Sequence, residues 1–585
     1  MKFLNFISIF VWATSLCSLA GEKLYNGIVL PDEWPPKNIL LNREPMPVPY
    51  LNNPPQIILI KVGRQLFIDD FLIEKTTMKR TFHQPEYYKK NPVIKPDKPW
   101  ENQRRGLFAA PFSGGSWYDP DENLFKIWYT GGFLATTCFA ISQDGIHWEK
   151  PILDVHEGTN IVVDPVHDGQ RYFDSNTIWL DHKTTNPEER YKYFATEDPS
   201  GWKMVYRTSA DGIHWSEPKA KPEIWGDRST TFYNPFRQVW VLSQRIEGYQ
   251  HGAGRCRAYL EASSPSELMK EITPNASQMI SPSGDVIDPE KATKNETESA
   301  YVEGKSVFWA HADDLDPRHT DPDYSHNAPQ LYNLDAFPYE SLMIGYFSIW
   351  QGPENHFCGE LDLQKRNDVL LGFSRDGFHW DRPSRERFFT SSWDVNNWRY
   401  GNVQSVAGGC LVVGDKLYFY FSGRAKPSKE SKDWDADAAT GLAFLRRDGF
   451  ASMDAGDQIQ TLTTRPVIFH GKYLFVNVNC PQGELKCEVL DEKDTLISPF
   501  SLDNCISISE NKTLINLAWQ HNDLSGLAGR PVKFRFQLKN GSLFAFWVSS
   551  DKSGASNGFV GAGGPGFTGS QDTVGINGYP EAGTK

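Results

Sequence analysis

Three features of this sequence predict an all-β protein: a five-bladed β-propeller followed by a β-sandwich domain. The first is a turn motif given three times, as AISQDGIHWEKP from Ala140, RTSADGIHWSEP from Arg207 and FSRDGFHWDRP from Phe373. Asp-Gly between two short apolar runs favours positive φ in the turn, which matches the twist of paired strands, so each copy is a β-hairpin. Trp148, Trp215 and Trp380 cover these turns, and the Pro that follows ends the second strand because it has no N–H for a ladder. A fourth copy, FLRRDGFASMDAG from Phe444, keeps Asp448-Gly449 and lacks the Trp and the Pro. The second feature is an aromatic-rich strand after turn residues, which occurs five times: NLFKIWYTGG from Asn123, ERYKYFATED from Glu189, FRQVWVLSQR from Phe236, SLMIGYFSIW from Ser341 and DKLYFYFSGR from Asp415. Repetition at a fixed spacing decides architecture before any single motif does, and short strands in repeated hairpin units read as propeller blades. The third is a change of character after Asp457, where KYLFVNVN, ELKCEVLD, TLINLAW, VKFRFQL and SLFAFWVS alternate with turns in the pattern of an antiparallel sandwich.

From the start, MKFLNFISIFVWATSLCSLAG has a single Lys, an apolar stretch and Ser18-Leu19-Ala20 as a small-residue cleavage site. It reads as a signal peptide over residues 1–20, which places the mature chain outside the cytoplasm, secreted or periplasmic. Residues 21–64, with many prolines between Pro31 and Pro55, read as an extended arm on the surface. The propeller spans 65–455, with blades at about 65–151, 152–220, 221–312, 313–385 and 386–455. Gln65 to Glu74 is assigned as a strand that closes the ring in the last blade, which makes Asp69 and Asp70 structural. The sandwich spans 456–549. Residues 550–585 are Gly-rich and poor in large aliphatics, so they are expected to form a disordered tail.

Composition excludes several classes. The 585 residues carry a formal net charge of -13, which disfavours nucleic acid and anionic membranes as partners. No apolar stretch is long enough for a membrane span. The 8 cysteines are thinly spread, one of them in the leader, and do not form a disulfide scaffold; Cys480 and Cys487 flank a turn and either pair or serve as small strand residues. No Cys or His cluster has metal spacing, and no phosphate or dinucleotide fingerprint occurs, so no metal and no cofactor is expected.

The leader, the five units with S-x-D-G-x-x-W hairpins and the sandwich together resemble the secreted glycoside hydrolases of families 32 and 43, over residues 65–549. In family 32 the first blade opens with W-M-N-D-P-N-G-L, whose Asp is the nucleophile. Here the corresponding stretch is Trp100-Glu101-Asn102-Gln103-Arg104-Arg105-Gly106-Leu107, with Gln103 in the place of that Asp. A neutral amide cannot attack an anomeric carbon, so Glu101 takes over, the mechanism differs, or the site is not catalytic. The R-D-P motif of that family, whose Asp steadies the sugar in the transition state, has its counterpart in Gly226-Asp227-Arg228-Ser229-Thr230, with the order altered and the Pro absent.

Propeller topology selects the acids that can do chemistry. The Asp-Gly hairpins join third to fourth strands, so Asp144, Asp211 and Asp376 lie on the face away from a ligand, and Glu340 sits in a turn on that same face. The open face is reached just before each innermost strand and in the loops between second and third strands. This selects Glu101, Asp174, Asp227 and Glu354 as the catalytic carboxylates. Arg104, Arg228, Asp323, His326, Arg399 and Gln404 become the substrate-binding set. Glycoside hydrolysis needs one protonated and one ionised carboxyl group, and a ring of converging acids can separate their pKa values. Asp227, steadied by Arg228, is assigned the transition-state charge, and Glu354 is a candidate general acid. The arginines fit an acidic or sulfated sugar, although arginines also brace acidic rings. The predicted function is a secreted glycoside hydrolase acting on an oligo- or polysaccharide; the alternative is a non-catalytic carbohydrate-binding propeller.

Overall fold

A computed structural model describes residues 21–579, apart from 38, 41, 104–105, 166–171, 199–201, 225–226, 249–253, 273–277, 281–285, 288–299, 303, 362 and 430–436. The leader at 1–20 and Arg104 lie outside the described residues. The chain is nearly all β, with α-helix confined to short pieces such as Pro265–Glu271 and Asn355–Leu361. Among the described residues no helix is long and apolar enough to cross a membrane.

Five antiparallel units follow one another. Unit 1 contains Phe108–Asp119, Leu124–Gly131, Thr136–Ser142 and Ile161–Val163. Unit 2 contains Tyr172–Leu180, Tyr191–Asp198 and Lys203–Ser209, with a fourth edge bridged at Ala220 and Glu223. Unit 3 contains Thr230–Asn234, Val239–Gly248, Gly254–Ala262 and Val307–Ala310. Unit 4 contains Gln330–Glu340, Leu342–Gly352 and Arg366–Ser374, with an outer edge bridged at Asp381 and Phe389. In unit 5, Asn402 and Val406 bridge the strand Lys416–Arg424, which pairs in turn with Ala438–Arg446. The first strands of units 1 to 4 lie side by side, and unit 5 returns to unit 1, where Ser116 donates its amide to Ala407 O.

The three turn motifs adopt one geometry. In each, the aspartate Oδ1 accepts the amides two and three residues ahead, and the His ring bonds Oδ2 at 2.7 Å: Asp144 with His147, Asp211 with His214, Asp376 with His379. The glycine after each aspartate has positive φ, from 71° at Gly145 to 84° at Gly377. The turns also bind the neighbouring unit. Trp128 of unit 1 donates its indole N–H to Gly212 O at 2.7 Å, Trp309 of unit 3 donates to Phe378 O at 2.8 Å, and the Tyr420 hydroxyl of unit 5 donates to Gly145 O at 2.5 Å.

Beside the units stand two sheets that enclose one core. One contains Lys79–Phe82, Ala451–Ala455, Tyr473–Asn479, Asn511–Leu517 and Gly541–Ser549; the other contains Ile73–Thr76, Gln460–Thr464, Glu484–Leu490 and Lys533–Lys539. Leu462, Val476, Phe534, Phe536 and Phe546 meet between them. Three expectations need correction here. Gln65–Leu66 pairs with Ala545 and Phe546 in this region, and the ring is closed instead by Glu86–Tyr87 and Ile94 against the last strand of unit 5. The boundary therefore shifts, with residues 65–82 and 451–455 belonging to the paired sheets. The arm does not merely lie on the surface either: Leu24, Ile28, Leu30, Val48 and Tyr50 are buried in the same core, where their apolar area leaves water.

The third correction concerns the glycine-rich segment, which is ordered through residue 579. Phe559–Val560 pairs with Tyr339–Glu340, and Asp572 is wholly buried. Its glycines serve close backbone approach: a Cβ on Gly564 would collide with Val412 O, and Gly561 (φ 59°) lies against Cys410 O. Side-chain-poor sequence here means backbone packed on backbone. Cys480 and Cys487 are both free and buried.

Candidate active site

At one end of the five units the first strands begin and the second and third strands are joined. Asp174, the third residue of the first strand of unit 2, and Asp227, just before the first strand of unit 3, meet at this end. Asp174 is 5% exposed and accepts the Arg228 amide at 3.2 Å. Burial, reinforced by the negative charge of Asp227, pushes its carboxyl up to about 7, with the Arg228 charge acting in the opposite sense. Asp227 is half-buried and accepts Arg245 Nη1 at 2.5 Å, while Arg245 Nη2 bonds Glu247. Two carboxyl groups thus share one site in unlike surroundings, one shielded and proton-holding, one paired with a cation.

Arg228 does not pair with Asp227, as its adjacency in the chain had suggested. Its side chain runs inward, donates from Nη2 to Ser405 Oγ at 2.9 Å, and lies with its guanidinium 4.0 Å from the centre of the Phe112 ring. The cation that holds Asp227 is Arg245, on the second strand of unit 3. Arg257, on the third strand, donates to the carbonyls of Arg228 at 2.7 Å, Ser243 at 3.3 Å and Tyr332. Burial and the Arg228 charge lower its guanidinium to about 9.

The other chosen residues divide. Gln404 is buried next to Ser405, its carbonyl oxygen accepting from Asn402 at 3.4 Å. Glu101 is wholly buried, and both its oxygens are taken: by the amides of Asp97 and Lys98, by the Tyr129 hydroxyl at 2.7 Å and by Lys150 Nζ at 2.6 Å. It braces the turn that leads into unit 1 and cannot attack a sugar, so its assignment as a catalytic group is withdrawn. Glu354 is exposed ahead of the helix Asn355–Leu361, and Asp323 and His326 are exposed in the loop before unit 4. Among the described residues no contact brings these three to Asp174. Arg399 donates to Thr390 O and lies over the Tyr87 ring at 4.5 Å, a packing role between units 4 and 5. Among the described residues no cluster of His, Cys, Asp and Glu has the makings of a metal site.

Sequence reasoning missed Arg245, Arg255, Arg257 and Tyr332. A usable signal was present, since residues two apart on a strand share a face: Arg245 with Glu247, and Arg255 with Arg257, each point together.

No family model matches this chain, and no curated protein matches it. Solved structures with some likeness include a fructofuranosidase from Schwanniomyces occidentalis complexed with fructose, 11% identical over 80% of this chain and 97% of its own, at a TM-score of 0.34. A thermostable family-43 glycoside hydrolase is 9% identical over 60% of this chain and 96% of its own, at 0.36. An endo-arabinase from Bacteroides thetaiotaomicron is 11% identical over 57% and 96%, at 0.32. At such TM-scores the reading of the site rests on its own geometry.

Proposed function

We propose that this chain is a glycoside hydrolase of the family 32 and 43 kind, exported by its leader, whose five units are the blades of a propeller and whose paired sheets are its accessory β-sandwich. The observation that carries this reading is the pair Asp174 and Asp227 at the start of adjacent first strands, the first shielded with its carboxyl pushed up and the second paired with Arg245. Hydrolysis of a glycosidic bond breaks the C–O bond at the anomeric carbon, delivers a proton to the leaving oxygen and adds water to the sugar. Asp174, protonated in about half the molecules at pH 7 and in most below it, is the donor to the leaving oxygen; proton transfer from a placed acid typically gives about 10²–10⁴-fold in rate. Asp227, steadied by Arg245, faces the positive charge that develops on the ring, an electrostatic contribution of several kcal/mol in a water-poor site. Gln103 in place of the family nucleophile is consistent with a carboxylate pair drawn from units 2 and 3.

The experiment is a screen of the purified protein against oligo- and polysaccharides with reducing-sugar detection, followed by Asp174→Asn and Asp227→Asn on whichever substrate is cleaved. Loss of turnover in both, with folding intact, supports the assignment. Full activity in either variant would remove that residue from the site, and sugar binding without cleavage of any substrate would leave a binding protein.

A further inference from the structure

Three segments of units 4 and 5 open at the end that holds Asp174: the loop before the first strand of unit 4, with His319 and Tyr324; the short helix Asn355–Leu361 between the second and third strands of unit 4; and residues 390–401, which lead into unit 5. They bring a row of aromatic rings to the surface. Between ring centres, Trp393 meets His319 edge-on at 5.1 Å, His319 meets Tyr324 at 5.3 Å, and Tyr324 meets Phe357 at 6.4 Å. The two ends of the row face water, Trp393 being 51% and Phe357 40% exposed. Large apolar side chains left in water are unfavourable, and a contiguous set of them marks a binding surface.

Trp393 is exposed yet firmly held. The guanidinium of Arg366 lies 4.0 Å from its ring centre, and that arginine is buried, 3.4 Å from Asp368 and donating to Ser391 O at 3.2 Å. Buried Asp368 also accepts the Ser391 amide at 2.6 Å and its hydroxyl at 2.7 Å, while Ser392 donates its amide to Arg399 O at 2.9 Å and accepts that of Gly401 at 3.0 Å, which closes the loop on itself. A contact ring fixed before its ligand arrives loses little freedom on binding. The same loop runs on to the carboxylate pair: Asn402 accepts from Asn367 at 3.1 Å, and Ser405 accepts from Arg228, whose amide binds Asp174. Asp323, next to Tyr324 in the chain, and Glu354, just ahead of the helix, are exposed carboxylates, able to accept from hydroxyl groups and unwelcoming to an anion.

A sugar ring has an apolar C–H face bordered by hydroxyls, which suits an aromatic ring with polar neighbours. We propose that this row is a stacking platform for a neutral oligosaccharide, a chain of sugar rings that leaves the Asp174 and Asp227 site along the 390–401 loop and lays the faces of successive rings on Trp393 and then on Phe357. This rests on the glycosidase reading for the identity of the ligand as a sugar, and deepens it by naming the substrate class: an uncharged chain of several residues rather than a disaccharide.

The test uses the full chain carrying Asp174→Asn, so that binding is measured without turnover. Calorimetric titration compares the disaccharide with the hexasaccharide in three neutral series, arabino-, fructo- and manno-oligosaccharides, with a galacturonate hexasaccharide as the charged control. In at least one neutral series the hexasaccharide should bind at least about ten-fold more tightly than the disaccharide, and more tightly than the galacturonate. Trp393→Ala should lower the hexasaccharide affinity about ten-fold and remove most of the advantage of length, Phe357→Ala should lower it about three-fold, and Trp393→Phe, which keeps a flat face, should retain most of it. Affinity independent of length, an equal loss for both lengths in Trp393→Ala, preference for the galacturonate, or binding of no glycan would overturn the proposal, the last leaving a protein partner as the occupant of the row. Hydrolysis by the unsubstituted protein separates the two readings: length-dependent binding through Trp393 without cleavage of any substrate defeats the hydrolase and spares this inference, whereas cleavage with binding that ignores length and Trp393 does the reverse.

Discussion

Two buried clusters of charge sit at opposite ends of the five units, and they are built differently. Away from Asp174, Arg64 lies 2.8 Å from Asp448 and 3.4 Å from Glu340, and Arg447 lies 3.0 Å from Asp572 and 3.4 Å from Glu340, all of them buried. The Tyr339 hydroxyl, Asn477 and Ser556 fill remaining positions on the carboxylates. Every acid there faces a guanidinium, and the partners come from the arm, unit 4, the end of unit 5 and the glycine-rich segment. This cluster ties parts of the fold together. At the other end burial and Asp227 push the Asp174 carboxyl up against the opposing charge of Arg228. Acids each matched by a buried guanidinium mark a joint, whereas a shielded acid beside a second carboxylate marks a place where chemistry is possible. A raised pKa alone does not distinguish them: Asp381 is also pushed up to about 7, by burial and by Asp69, in a structural setting near Arg375.

The contrast can be broken by substitution at either end. The largest effect is expected from Asp174→Asn, which should lower turnover about 10²–10⁴-fold. Stability should move the other way. A carboxyl whose folded pKa is about 7 against 3.8 stabilises the fold fully only below pH 3.8, and that contribution is lost as pH rises toward 7. Thermal melts should therefore show the Asn variant gaining on the parent between those limits. Next, Asp572→Ala should cost about 3–5 kcal/mol, because it strands buried arginines, with kcat/KM of the folded fraction unchanged; denaturant unfolding measures this. Deletion of 551–585 should cost more, and a melting temperature within a few degrees of the parent would show that the segment is dispensable. A smaller effect is a limb in the pH profile of kcat/KM, falling as Asp174 loses its proton near pH 7. Asp227→Asn removes the charge that helps raise that pKa, so whatever activity remains should fall at lower pH. The smallest is Trp128→Phe, which deletes the bond to Gly212 and should cost about 1 kcal/mol in unfolding experiments.

What the sequence revealed follows from the range of each interaction. The hairpin motif is local, its aspartate bonding amides within three residues, so Asp144, Asp211 and Asp376 were legible as turns. That Asp174 and Asp227 come near each other was legible because both stand at the opening of a first strand. The partner of Asp227 was not, since alternation turns Arg228 to the far side of the chain and brings in Arg245 from the next strand. Ring closure was misassigned because Gln65–Leu66 and Glu86–Tyr87 are both short and strand-like, and the choice between them is made by partners near residues 443 and 545. The glycine-rich segment was misread because composition records lost side-chain burial and says nothing of backbone fit.

Ring closure has a consequence for biosynthesis. Glu86–Tyr87 and Ile94 emerge early from the ribosome, while Ala438–Arg446, the strand they pair with, comes after four units have been synthesised. Until then an edge strand waits without a partner, and it is flanked by Lys89, Lys90 and Pro92, residues that discourage pairing with another chain. Arg64 likewise waits for Asp448 and Asp572. A nascent chain whose early segment pairs with a strand near residue 440 gains no partner for that segment halfway through, and Asp174 and Asp227 are held between completed neighbours only once most of the polypeptide has been synthesised.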